Sequence, residues 1–282
     1  MNAIRTCLAT SALLVLPAML QPSQAHPAHA TPAMAAAPVA AQLAQPAAAQ
    51  PIAVVAPARI VEGPRQALGR GQAFTWVGLD AAGTPISLGI GLTQAALEGL
   101  PDEMAVFNLA LPEQARALGY DHVGLDWAPR GHEPPGVYDR PHFDMHFYRV
   151  SAAALDRIVP EDPEYEAKLA REPSADLVPP GFVRVPGGVP RMGAHWVATD
   201  APELNGQPFD KTLLVGSYDG ELTFVEPMIT RAFLQTRTEA VLPVRAPRAA
   251  VGTLAWPAAY RVSFEDGVHH IALIGLRPLP RR

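Results

Sequence analysis

The sequence predicts a mostly β fold, a single β-barrel or β-sandwich domain with a few short helices. Three observations carry this. From residue 59 onward, short segments that alternate apolar and polar residues recur between turn signals. The 282-residue chain holds 31 Pro and 22 Gly, which interrupt long helices and multiply turns. Helical signals are few and short, and no repeat at a fixed period is evident.

The N-terminal part lies outside this pattern. Residues 1–25 read as a secretory signal peptide. Arg5 gives the positive start, residues 8–20 a short apolar run broken by Pro17, and Ser23-Gln24-Ala25 a small-residue cleavage site. The run is short for a membrane span, so the expectation is a periplasmic or secreted protein, with no membrane insertion after signal removal. Residues 26–58 carry no charge and are mostly Ala, Pro, Gln and Val. Proline blocks a continuous Ala helix and few large side chains are present, so this stretch reads as a disordered spacer. The single cysteine, Cys7, lies inside the signal. The mature chain therefore lacks a disulfide framework, a thiolate metal cluster and thiol catalysis.

Within 59–282 the predicted strands, in order, are 73–79, 86–92, 104–111, 122–128, 142–150, 182–185, 212–218, 221–226, 240–244, 260–265 and 268–276. Thr93 is positioned to cap a helix over 94–100, and Ser151 one over 152–159. Pro163 sits at the first position of a helix over 164–171, and 228–234 reads as one more helical piece. The Pro-rich stretch 172–190 reads as a long loop over one end. Asp219-Gly220 favours a two-residue hairpin turn. That turn sets Leu213 opposite Glu226 and puts Leu213, Val215, Ser217, Leu222, Phe224 and Glu226 on one face. Asp266-Gly267 makes a second hairpin, with Tyr260, Val262, Phe264, His269, Ile271 and Leu273 on its apolar face. His269, beside the turn, is expected at the rim without a role.

Charge and motifs exclude several function classes. A formal net charge of -5 leaves no basic surplus for nucleic acid. The chain lacks a Gly-x-Ser-x-Gly elbow, a phosphate-binding Gly/Lys loop and a dinucleotide fingerprint. What stands out is Pro141-His142-Phe143-Asp144-Met145-His146-Phe147-Tyr148. As a strand it sends Phe143, Met145 and Phe147 to one face and His142, Asp144, His146 and Tyr148 to the other. His and Asp suit zinc, iron or manganese. Alternate strand residues lie about 6.6 Å apart and next-but-one pairs about 13 Å, so His142 and His146 need inward-bent side chains or a bulge to share an ion. A Gly/Pro loop upstream carries His132 and Glu133, which either close a pocket or form an exposed pair. His195 follows Gly193, and Glu226 ends an apolar row, where a carboxylate needs a compensating cation or donor.

The runs 127–138, 141–148, 192–196 and 216–229 resemble an uncharacterised family of exported bacterial proteins, founded on a Thermus hypothetical protein under sigma-E control. The resemblance spans residues 68–280. It implies a β-rich fold, allows a ring-forming assembly and supplies no reaction. It groups His132, His142, Asp144, His146, His195 and Glu226 as a set. The expectation is an exported metal-binding protein with His142, Asp144, His146, His195 and Glu226 as ligands. Asp144 is either a fifth ligand or orients a histidine from behind. The ion is divalent, zinc first, with manganese or iron as alternatives. A metal-dependent enzyme with an open ligand position, acting on a small ligand, is the second reading. A structural homo-oligomer without metal is the third.

Overall fold

The computed structural model describes residues 55–282. The expected signal, and the expected spacer up to residue 54, lie outside the described residues. The strands in chain order are β1 (Arg59–Glu62), β2 (Gln66–Leu68), β3 (Gly71–Leu79), β4 (Pro85–Thr93), β5 (Ala105–Ala110), β6 (His122–Ala128), β7 (His142–Tyr148) and β8 (Phe182–Arg184). They continue with β9 (Ala194–Ala198), β10 (Lys211–Tyr218), β11 (Glu221–Thr230), β12 (Ala240–Pro243), β13 (Ala255–Trp256), β14 (Ala259–Glu265), β15 (Val268–Ile274) and β16 (Arg277–Pro278). Three short helices, α1 (Ala152–Leu155), α2 (Tyr165–Ala170) and α3 (Arg231–Thr236), and three 3-10 turns complete the described elements. None of these helices is long and apolar enough to cross a membrane.

Two seven-stranded antiparallel sheets dominate. One runs β1-β3-β4-β15-β14-β12 with β2 beside β3, and the other β5-β6-β7-β11-β10-β9-β8. Of the two expected architectures, barrel and sandwich, a closed barrel is not found among the described residues. Closure needs the first and last strands of a sheet to pair, and neither strand order returns to its start. The largest apolar cluster draws on both sheets: Val77, Leu88, Ile90, Ile271 and Leu273 from the first, and Val123, Leu125, Phe143, Met145, Phe147 and Val225 from the second.

Strand alternation accounts for this core. In β7, Phe143, Met145 and Phe147 are fully buried in the shared cluster. The intervening His142, Asp144, His146 and Tyr148 occupy the opposite face, as the period of two requires. The β14–β15 hairpin has the expected register, with Tyr260 opposite Leu273, Val262 opposite Ile271 and Phe264 opposite His269. His269 is no rim residue, however. It is 2% exposed, its ring 4.6 Å from that of Phe264.

The β10–β11 hairpin departs from its expected register. Tyr218 faces Glu221 and Ser217 faces Leu222, but Gly216 faces Phe224 and Leu214 faces Glu226. One extra residue on β11, a bulge at Thr223, shifts every later pair by one. Leu213, Val215 and Leu222 remain in the shared core, whereas Phe224 and Glu226 move to the other face.

Some ends also differ. The expected helix over 228–234 begins only at Arg231. Met228 and Ile229 stay in β11, opposite Asp144 and Phe143, and Thr230 caps α3 by accepting from Phe233 N at 3.1 Å. Ser151 caps α1 as expected, accepting from Ala154 N at 3.2 Å. Thr93 does not cap; its Oγ1 accepts from Gln72 N at 2.9 Å, and the piece after it is a 3-10 turn, Gln94–Leu97.

Candidate metal centre

The faces of β6, β7, β9 and β11 turned away from the shared core bring Asp126, His142, Asp144, His146, His195 and Glu226 together among apolar residues such as Phe224 and Leu214. Pairs on either side of Glu226, Phe224 with Tyr148 and Met228 with Asp144, set Glu226 directly opposite His146. His195 on β9 lies opposite Gly216 of β10. Glycine is required there, because a Cβ on Gly216 would stand 2.0 Å from the Phe224 ring. Phe224 in turn packs against both His146 and His195, with ring centroids 4.9 and 5.2 Å away.

Most of these groups are buried, while His132 and His195 are partly exposed. His142 is 0% exposed, and His146 and Glu226 are each 2% exposed. Beside them lies a cavity of about 610 Å³, whose wall includes Val185, Val189, Met192, Val197 and Leu214. Residues 185–189 belong to the Pro-rich stretch expected to cover one end. Asp126, His132, Glu133, Tyr138, Asp144, His146, His195 and Glu226 supply polar groups to that wall.

The five expected ligands fall into two groups. His146, His195 and Glu226 bring one ligand atom each within 4.8 Å of one another. His146 Nε2 is 3.2 Å from Glu226 Oε1, and His195 Nε2 is 3.8 Å from Glu226 Oε2. Two ligands about 2.0–2.2 Å from a tetrahedral ion are themselves about 3.3–3.6 Å apart. His142 and Asp144 form a second group with His132, again within 4.8 Å. His142 Nε2 is 3.0 Å from Asp144 Oδ1, and His132 Nε2 is 3.3 Å from Asp144 Oδ2. The four-residue separation on β7 thus keeps His142 and His146 in different groups. Glu133 lines the cavity, and its backbone carbonyl contacts His132 Nδ1 at 2.8 Å.

Electrostatics follow from this crowding. Burial depresses the His146 pKa, but the charge and hydrogen bonding of Glu226, helped by Asp126 and Asp144, override it and hold it up at about 9. Burial likewise works against His132, and its contacts with Asp144 raise it to about 9. Burial pushes the Asp144 carboxyl up, yet His132 and His142 hold it well below the usual carboxylate range. His195 is lowered by burial, with Glu226 opposing and His146 reinforcing. Without a metal ion, protons on histidine are what balance the carboxylates. A cation would displace them.

Asp126 escaped the sequence reading. It is 4% exposed and pairs across the strands with Asp144. Burial, with the charges of Asp144 and Glu226 adding to it and His146 opposing, raises its carboxyl to about 6. The signal was present: Val123, Leu125 and Trp127 alternate, which leaves Asp126 on the polar face. Strand β9, which carries His195, was also missed, because five residues between Gly193 and Thr199 are too few for a clear alternation.

A family model described as TTHB210-like, hypothetical protein TTHB210, matches residues 80–127. The match agrees with the resemblance to a Thermus hypothetical protein. It includes Asp126 and ends before His132, so it covers none of the six histidine and carboxylate ligand candidates. No curated protein and no solved structure matches the chain.

Proposed function

We propose that this chain is an exported metal-binding β protein. Its ion, zinc first and manganese or iron as alternatives, is held by His146, His195 and Glu226 at the wall of the apolar cavity. The observation that carries this reading is Glu226. It is a carboxylate buried to 2% exposure, its Oε2 lacks a hydrogen-bond partner, and two histidine nitrogens stand beside it. A buried, half-satisfied carboxylate is costly, and a divalent cation removes that cost. His146 Nδ1 is buried without a partner as well. We read the two sheets as a sandwich, supported by the core they share, and we extend the kinship with the exported family to the 141–148 motif.

The cavity favours a second reading, a metal-dependent enzyme. Three protein ligands leave a fourth position, and the wall beyond them is apolar and large enough for a small ligand. Asp126, with its carboxyl near 6, is the group suited to accept or return a proton at neutral pH. The ion would polarise a ligand or water at its open position.

Elemental analysis of protein purified from its host tests the proposal. Bound zinc, manganese or iron is expected, and a lower content in Glu226→Gln and His195→Ala. Metal-free protein that takes up none of the three on dialysis overturns it. N-terminal sequencing of the same sample tests export: a start near His26 is expected, and a start at Met1 contradicts it.

A further inference from the structure

We propose a second, separate divalent-cation site built from His132, His142 and Asp144. It adds to the centre above and does not depend on that centre being filled. The argument begins with the ring protons. His142 Nδ1 lies 2.6 Å from the carbonyl oxygen of Arg140, and His132 Nδ1 lies 2.8 Å from that of Glu133. A carbonyl oxygen can only accept, so each ring carries a proton on Nδ1. Each neutral ring then presents a lone pair at Nε2.

Both lone pairs face the same carboxylate. His142 Nε2 stands 3.0 Å from Asp144 Oδ1, and His132 Nε2 stands 3.3 Å from Oδ2. A carboxylate is also only an acceptor. His142 Nε2 and Asp144 Oδ1 are buried with no hydrogen-bond partner, on residues 0% and 4% exposed. Acceptor against acceptor at so buried a carboxylate calls for a proton or a metal cation between them. One added proton satisfies one ring and leaves the other facing oxygen. Two added protons satisfy both rings and leave the same net charge of +1 as one divalent ion. One divalent ion engages both nitrogens and the carboxylate together. Histidines whose second nitrogen donates to a backbone carbonyl are the usual form of metal-ligating histidines. The spacings are close to the roughly 3.3–3.6 Å between neighbouring ligands of a tetrahedral ion.

The loop that delivers His132 is built for this position. Gly131 has φ of 73°, and a Cβ there would lie 1.9 Å from the Tyr138 carbonyl. Only glycine permits that turn. His132 N then donates to Tyr138 O at 3.3 Å, which closes the loop over His142, with ring centroids 4.8 Å apart. His132 and Asp144 face the same cavity as the first centre, so two ions would share one chamber. The donor set, two imidazoles and one carboxylate, suits zinc, manganese or iron.

Zinc stoichiometry decides the matter. The full chain, stripped with chelator and dialysed against zinc, is expected to bind two ions. His132→Ala, at a partly exposed loop position, is expected to bind one. The Glu226→Gln/His195→Ala double variant is also expected to bind one, and the triple variant none. Cobalt titration of the wild-type chain, read by visible absorption, is expected to show two equivalence points. A wild-type stoichiometry of one that His132→Ala leaves unchanged overturns this proposal and leaves the first centre standing. A single ion lost in His132→Ala but kept in the double variant supports this site and overturns the first.

Discussion

At Gly216, one hydrogen in place of a methyl group decides where Phe224 rests, and Phe224 holds both His146 and His195 in place. Gly216→Ala is expected to push the ring and cost about 1–3 kcal/mol in stability. It should also weaken zinc binding at the first centre, which competition with a colorimetric chelator measures. Unchanged affinity would show that Phe224 does not position the histidines. His269 offers a pH-dependent case outside the site. Burial, aided by Arg237 and His270, holds its pKa down at about 4. Above the ordinary value of about 6.5, both folded and unfolded states are neutral there and His269 contributes nothing. As pH falls from 6.5 toward 4, the unfolded chain gains a proton that the folded chain refuses, so stability falls. His269→Leu is expected to lose less melting temperature than the wild type between pH 7 and 4.5. Equal losses would remove His269 as the cause. The residue types of the site were legible because alternation alone separates His142, Asp144 and His146 from the phenylalanines between them. The partner of each was not, because pairing depends on neighbouring strands.

Strand β11 illustrates what an element hides. The Asp219-Gly220 turn was readable, and its first two pairs match the expectation. The bulge that follows was not, since an extra residue has no signature in alternating apolar sequence. It is the bulge that turns Glu226 toward His146 instead of into the shared core. The far end of the strand was hidden for another reason. Thr230 ends β11 and at the same time caps α3, so strand and helix signals overlap over three residues. Thr230→Ala is expected to cost about 1 kcal/mol through loss of the bond to Phe233 N. Urea unfolding checks this; a variant as stable as the wild type would mean the cap contributes nothing. The loop carrying His132 was recognised as Gly/Pro-rich, but its fold back over β7 rests on the Tyr138 carbonyl, a contact that no spacing rule gives.

Across the described residues, two antiparallel sheets both contribute to one apolar cluster, and the opposite face of the second sheet carries the titratable side chains. The fold class was legible from turns and alternation, whereas sheet membership was not, because strands far apart in sequence pair, as β4 does with β15. An ion on that face joins β7, β9 and β11, so binding should stabilise the entire domain. With free zinc at a hundred times its dissociation constant, linkage gives about 2.7 kcal/mol. For a domain of this size that corresponds to a rise of roughly 5–10 °C in melting temperature, reversed by EDTA. No shift in a calorimetric scan would contradict binding to the folded state. The most direct measurement is an anomalous difference map at the zinc edge from a crystal of zinc-loaded protein. A peak is expected about 2.0–2.2 Å from nitrogen of His146 and His195 and from a carboxylate oxygen of Glu226; a map with no peak among these three residues, in a crystal that carries zinc elsewhere, would contradict a metal centre there.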